Sequence, residues 1–252
     1  MRNILLTIAY DGRAYHGWQI QHNADTVQAQ LQQALARVLG STPPIKGCSR
    51  TDTGVHARMF CVSFATEARI PCQRLIPALN VNLPRDIAVT ACREVPEGFH
   101  ARYDCRGKRY SYEIWNSPVK NPFLDRLATR WPYPLDAQRM KQSGQALLGT
   151  HDFSALCAAG SSVDPRDPDA DTVRTITEFD VRREGDMVYI TVAADGFLYN
   201  MVRIIAGTLL DMEGGKIAPD SMADIIASRD RSRAGHTAPP DGLYLDEVFY
   251  NL

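Results

Sequence analysis

The sequence predicts an α+β protein of two ferredoxin-like (split βαβ) domains, with antiparallel sheets flanking a central cleft. Three observations carry that prediction. Hydrophobic periodicity gives the element order β-α-β-β-α-β from residue 3 to residue 95, and the same order with one added helix from 108 to 250. A length of 252 residues allows one large domain or two of ordinary size. A composition of 44% hydrophobic and 23% charged residues suits a chain that buries a core. The domains are set at 1–104 and 105–252. The repeat is one of element order, with no residue-level repeat beneath it.

Asn3 to Tyr10 is β-branched and aromatic and reads as a strand, ending at the turn signal Asp11-Gly12. The loop Arg13 to Gln19 is unusually aromatic for a connector. In the first helix Thr26 caps, Val27, Leu31, Ala34, Leu35 and Val38 fall at helical spacing, and Gly40 stops the run. Strands are expected at Pro44 to Cys48, Met59 to Ala65 and Asp86 to Val95, with a helix from Pro71 to Val81 that carries proline in its first turn. In the second half, Lys108 to Trp115 is a strand, Asp136 to Leu148 a helix and Val173 to Arg183 a strand. That strand returns through a Gly185-Asp186 hairpin into Met187 to Ala193. An apolar helix from Asn200 to Met212 closes at Gly214-Gly215. A short helix from Asp220 to Ser228 and a last strand from Gly242 to Tyr250 complete the order. The acidic run from Ser161 to Thr172 is expected to be a loop inside the second domain.

No apolar run reaches the roughly 18 residues that span a bilayer. The N-terminal stretch has no signal-peptide cleavage pattern, so a cytoplasmic protein is expected. Six cysteines stand singly, without a C-x-x-C pair, which argues against a disulfide framework or a zinc site. Net charge is −1, yet eleven Lys and Arg face six acids between Lys46 and Arg109. A local basic surface on a neutral chain fits a polyanion held in one place.

That basic stretch contains Gly47-Cys48-Ser49-Arg50-Thr51-Asp52-Thr53-Gly54-Val55-His56-Ala57. A carboxylate on a glycine-closed loop, two residues after an arginine, is set to stay ionised and hold one direction. Such an acid suits a nucleophile or a base better than a proton donor. Asp52-Thr53-Gly54 is also the tripeptide of aspartic proteases. That chemistry needs a second aspartate to share a proton, and the chain has no second D-[ST]-G. A further alternative is an RNA-binding module with no catalysis.

The string Gly47 to Ala57, with Arg, Thr, Asp, Gly, Val, His and Ala at fixed offsets, resembles the catalytic motif of the tRNA pseudouridine synthase A (TruA) family. Tyr10 to Gln19 is similar to the family's N-terminal signature and Lys108 to Tyr112 to its tyrosine motif. Phe197 to Arg203 is similar to its late basic motif, and Thr237 to Leu245 to its C-terminal signature. The resemblance spans the chain, with the loop Ser161 to Thr172 longer and more acidic than the family pattern. It implies isomerisation of uridine to pseudouridine in the tRNA anticodon stem-loop (positions 38 to 40), by a homodimer, without cofactor or metal.

By the same resemblance Asp52 is the nucleophile, and Tyr110 stacks on the everted uracil and relays a proton. Arg174 meets tRNA and Leu245 lines the uracil pocket, although core packing fits Leu245 equally well; Arg58 is a candidate phosphate contact. Arg50 either fills the space of the everted base or orients a phosphate. A plain ion pair is its structural alternative. Arg203 lies on an apolar helix face, where a buried guanidinium needs a carboxylate, and Asp52 is the expected partner. Arg102, Arg106, Lys108 and Arg109 are further candidate phosphate contacts. His56 is expected to hold the loop through backbone hydrogen bonds. Tyr15 and Trp18 are expected to pack the loop rather than bind RNA.

Overall fold

The computed structural model describes residues 1–160, 163–167 and 169–252. Ser161, Ser162 and Pro168, which belong to the expected acidic loop, lie outside the described residues. In chain order the elements are β1 (Arg2–Tyr10), α1 (Val27–Leu39), β2 (Lys46–Gly47), β3 (His56–Thr66), α2 (Cys72–Asn82), β4 (Ile87–Val95) and β5 (Gly107–Asn116). They continue as β6 (Thr129–Trp131), α3 (Ala137–Ser143), β7 (Gly149–Asp152), β8 (Val173–Glu184), β9 (Met187–Ala194), α4 (Met201–Glu213), α5 (Met222–Ser228) and β10 (Leu243–Phe249). The chain is mixed α+β, packed as two compact units: residues 1–106 with 244–252, and residues 107–243.

In the first unit β1 lies between β4 and β3, antiparallel to both. The edge of β3 away from β1 takes two partners. β2 runs antiparallel at Val62 and Ser63, and β10 runs parallel at His56 and Ala57. The core is built from Ile4, Leu6, Ile8, Phe60, Val62 and Phe64 of the strands, with Leu31 and Leu35 of α1 and Leu79 of α2. α1 starts where Thr26 Oγ1 accepts from the Ala29 N–H and stops at Gly40, whose φ of 70° is the left-handed cap position. β2 is shorter than the expected strand, because Pro44 has no N–H for a ladder. β10 packs with this unit, whereas pattern alone kept residues 242–250 in the second half. Its pairing with β3 joins residues far apart in sequence, which local periodicity does not encode.

In the second unit the neighbours run β7-β8-β9-β5, all antiparallel, with the short β6 parallel to β5. β8 and β9 join through Gly185 (φ 59°) and Asp186, the expected two-residue hairpin. α4 is buried nearly all round, from Met201 to Met212, as its apolar sequence requires. The expected helix 136–148 is broken. α3 ends at Ser143 and tightens to a 3₁₀ turn at Gly144–Leu147. The reason is Gly144, where a Cβ would overlap the Phe179 ring, so the glycine is kept for close packing and weakens the helix. β6 and β7, of three and four residues, carry too little pattern to be read from sequence.

Candidate active site

The Asp52 loop is a short crossing between β2 and β3, and its backbone is tied down on both sides. The Val55 N–H donates to Asp52 O at 3.1 Å across Thr53 and Gly54. Gly54, at φ 80°, supplies the positive φ that a type II turn needs at its third position. The aromatic connector after β1 then zips onto this loop: the Trp18 N–H donates to Thr51 O and the Gly54 N–H donates to Tyr15 O. A Cβ at Gly17 would overlap Thr51 O, and one at Gly12 would overlap Val55 O. The two glycines let the strands of chain approach to backbone distance.

Side chains lock the same loop from beneath. Thr51, buried, shares a 2.8 Å hydrogen bond with the Tyr10 hydroxyl. Trp18 covers Phe60 with ring centroids 4.3 Å apart and leaves room only for hydrogen at Gly47. The Gly12 N–H donates to His56 Nδ1 at 3.2 Å. The Asp11 carboxylate lies 3.3 Å from the same nitrogen. Burial raises the Asp11 pKa, and the hydrogen bonds from Arg13 outweigh it and leave the group below its ordinary value. His56 stacks on Tyr244 at 4.5 Å, and Arg58 lies 4.0 Å over the same ring while pairing with Asp246 at 2.7 Å.

On this framework Asp52 is half-buried, Arg50 is exposed and Thr51 between them is buried. The alternation turns Arg50 and Asp52 away from the core while Thr51 anchors the backbone. Leu245 is fully buried in β10, opposite Ala57 in β3. Tyr15 and Trp18 pack the loop, and Tyr15 also donates to Asp86 Oδ1 at 2.6 Å.

The other sequence-predicted residues belong to the second unit. Tyr110, in β5 opposite Val192, is almost buried and meets the Phe197 ring edge-on at 5.0 Å. Arg203, in the first turn of α4, donates from Nε to Ala238 O at 2.7 Å and from a terminal nitrogen to Asn200 Oδ1 at 2.8 Å. It thereby ties the helix start to the 237–240 segment, which returns a hydrogen bond from the Ala238 N–H to Arg203 O. Arg174 pairs with Asp171 at 3.2 Å, and Arg109 with Glu178 at 2.9 Å. The structure thus gathers Asp52, Arg50, Arg58 and Leu245 in one unit, and Tyr110, Arg174 and Arg203 in the other.

Sequence reasoning missed several supporting residues. Thr51 and Gly17 stand inside the quoted motifs, and their fixed places there were the available signal. The Tyr112 hydroxyl donates to Pro239 O at 2.8 Å, so Thr129 Oγ1, 2.6 Å away, must be the donor to it. Burial pushes the Tyr112 pKa well up, which keeps this bridge protonated. No motif signals the buried Asp211, which accepts from the His236 N–H, the His236 ring and Lys216. Among the described residues no cluster of three or more His, Cys, Asp or Glu is placed to hold a metal ion. Among them, too, no helix is long and apolar enough to cross a membrane.

Comparison with known proteins bears directly on this arrangement. A family model described as tRNA pseudouridine synthase matches residues 6–104 and 144–251. A tRNA pseudouridine synthase A of Thermoanaerobacter sp. (strain X514) is 46% identical over 250 residues, covering 99% of this chain and all of its own. The tRNA pseudouridine synthase A of Acetivibrio thermocellus is 47% identical over the same shares. Among solved structures, a chain of a Cbf5-Nop10-Gar1 complex aligns over 97% of this chain and 59% of its own. Its 10% identity and TM-score of 0.35 are too low to define the fold. Full-length similarity at this level places the chain in the tRNA pseudouridine synthase A family.

Proposed function

We propose that the chain isomerises uridine to pseudouridine in tRNA, in the anticodon stem-loop at positions 38 to 40, with Asp52 as the nucleophile. The observation that carries this reading is the Asp52 loop: a half-buried carboxylate on a backbone held by residues 15–18, inside the family's own motif. A group held in one direction before substrate arrives loses little orientational freedom in the reaction. Isomerisation conserves every atom. The C1′–N1 glycosidic bond breaks, the base turns, C5 bonds to C1′, the C5 proton leaves and N1 gains one. Asp52 serves by attack on the sugar or the base, or by assisting departure of uracilate. The uridine must first leave its stack, at a cost on the order of a few kcal/mol.

In this reading Tyr110 offers a ring face to the everted uracil and a hydroxyl for the C5 proton, and its near-complete burial favours a defined orientation. Arg203 supports the ionised carboxylate of Asp52. Arg50, exposed, fills the vacated stack or orients a phosphate. Arg58 and Arg174 contact the RNA backbone, exchanging carboxylate partners for phosphates. Leu245 supplies apolar wall beside the loop. The reaction uses no cofactor.

Each unit is read as ferredoxin-like. The order β1-α1-β2-β3-α2-β4 supports this in the first; the second runs β5-β6-α3-β7-β8-β9-α4-α5, which keeps a β-α-β-β-α core with added elements and without the closing strand β10. The enzyme is read as a cytoplasmic homodimer, a state that light scattering measures directly.

The test is incubation of the purified protein with an unmodified tRNA transcript, followed by carbodiimide labelling and primer extension. Stops at the anticodon-stem uridines are expected, and they should vanish when those uridines are replaced by cytidine. Binding of the transcript without any labelled product would leave an RNA-binding module in place of an enzyme.

A further inference from the structure

Away from the Asp52 loop, the first unit carries a second reactive feature that the proposed chemistry does not use. Cys72 opens α2 and Cys92 lies in β4, the edge strand of its sheet. Both are half-exposed, unlike Cys48, Cys61 and Cys157, which are buried. The two thiols are near enough to influence each other. The pairing is not an accident of two mobile side chains, because both segments are clamped. At one end Arg2 donates to Ala68 O at 2.9 Å and to Ile70 O at 2.8 Å, just before Cys72. The same guanidinium donates to Glu94 Oε1 at 2.7 Å, two residues beyond Cys92. Farther along α2, Asn80 accepts from the Val89 N–H at 2.7 Å and donates to Val89 O at 2.9 Å. Helix and strand are therefore held together on either side of the sulfur pair.

We propose that Cys72 and Cys92 form a dithiol site that a peroxide closes into a disulfide, cross-linking the start of α2 to β4. One thiolate attacks the peroxide, taking one oxygen as sulfenic acid while water leaves. The second thiolate then attacks that sulfur, the S–S bond forms and a second water carries off the oxygen. Two electrons pass to the peroxide and both thiol protons end in water. The Arg2 guanidinium favours the Cys92 thiolate, opposed by Glu94. Burial, followed by the neighbouring Cys72 thiol, pushes the Cys92 thiol up, which makes Cys92 the poorer first attacker. Closure cuts the unfolded chain's freedom across residues 72–92.

The experiment treats the full-length protein with a few equivalents of hydrogen peroxide, blocks remaining thiols by alkylation and maps peptides without reduction. A single cross-linked peptide joining Cys72 to Cys92 is expected, with the loss of two hydrogens and full reversal by dithiothreitol. The thermal midpoint should rise by roughly 5–10 °C on closure and return on reduction. C92S should take up oxygen or glutathione at Cys72 in place of the cross-link and show no such rise. Two alkylated cysteines at 72 and 92 after treatment, or a disulfide between other cysteines, would overturn the proposal. The wild-type map decides the matter whether or not the variant folds.

Discussion

Asp52 and Gly17 illustrate how much of the site rests on single residues. Asp52 contributes a carboxylate and little packing, because it is only half-buried on its loop. Asp52→Asn keeps size and hydrogen bonding and removes the negative charge. It should abolish product in the carbodiimide assay while tRNA affinity, read by filter binding, stays within about tenfold, since phosphate contacts dominate that affinity. Turnover near the unmutated rate would exclude Asp52 from the mechanism. Gly17 acts only through what it lacks. A Cβ there would overlap Thr51 O, and the position's φ is 82°. Gly17→Ala should cost about 1–3 kcal/mol in a denaturant titration and lower turnover with it, by pushing the Asp52 backbone off position. Equal stability with intact turnover would show that the loop relaxes freely.

At the scale of elements, helices and loops here are adjusted to each other through a few polar anchors. α3 stops where Gly144 admits the Phe179 ring, so packing overrides helix propensity. α4 holds the 235–238 segment through Asp211, whose carboxylate accepts from the His236 N–H at 2.9 Å, the His236 ring at 2.8 Å and Lys216 at 3.0 Å. Burial alone raises the Asp211 pKa. The two His236 hydrogen bonds and Lys216 outweigh it, and the folded value lies below the ordinary one. Its stabilisation is therefore complete above the unfolded carboxylate pKa of about 3.9 and is lost as pH falls through the depressed folded value. Asp211→Asn should lower the thermal midpoint at pH 7, and the gap to the parent should narrow in a series run below about pH 4. A gap independent of pH would mean that packing, not charge, accounts for Asp211.

At the scale of the whole molecule, the chain's last strand returns to its first unit. β10 pairs in parallel with β3 at His56 and Ala57, and it buries Leu245 and Val248 there. Leu245→Ala should therefore cost about 2–5 kcal/mol. The loss should show as faster amide hydrogen exchange in β3, the strand that begins beside the Asp52 loop. Exchange unchanged in β3 would sever that link. Tyr244, next in line, stacks on His56 and carries Arg58 over its ring, so the C-terminal signature supports the loop motif from a distance in sequence.

Much of this was legible beforehand. β1, α1, α2 and the β8–β9 hairpin follow from caps, glycines and apolar period, all of which act within a few residues. The acid loop was legible as well, because a turn, a carboxylate and a nearby cation are written in consecutive letters. The tertiary structure alone decided which unit takes β10, why α3 breaks, and that Thr51 hangs from Tyr10. It alone held α2, which Cys72 opens, against β4, which carries Cys92. These are contacts between residues remote in the chain, chosen by which surfaces fit when the core closes, and no local pattern records that fit.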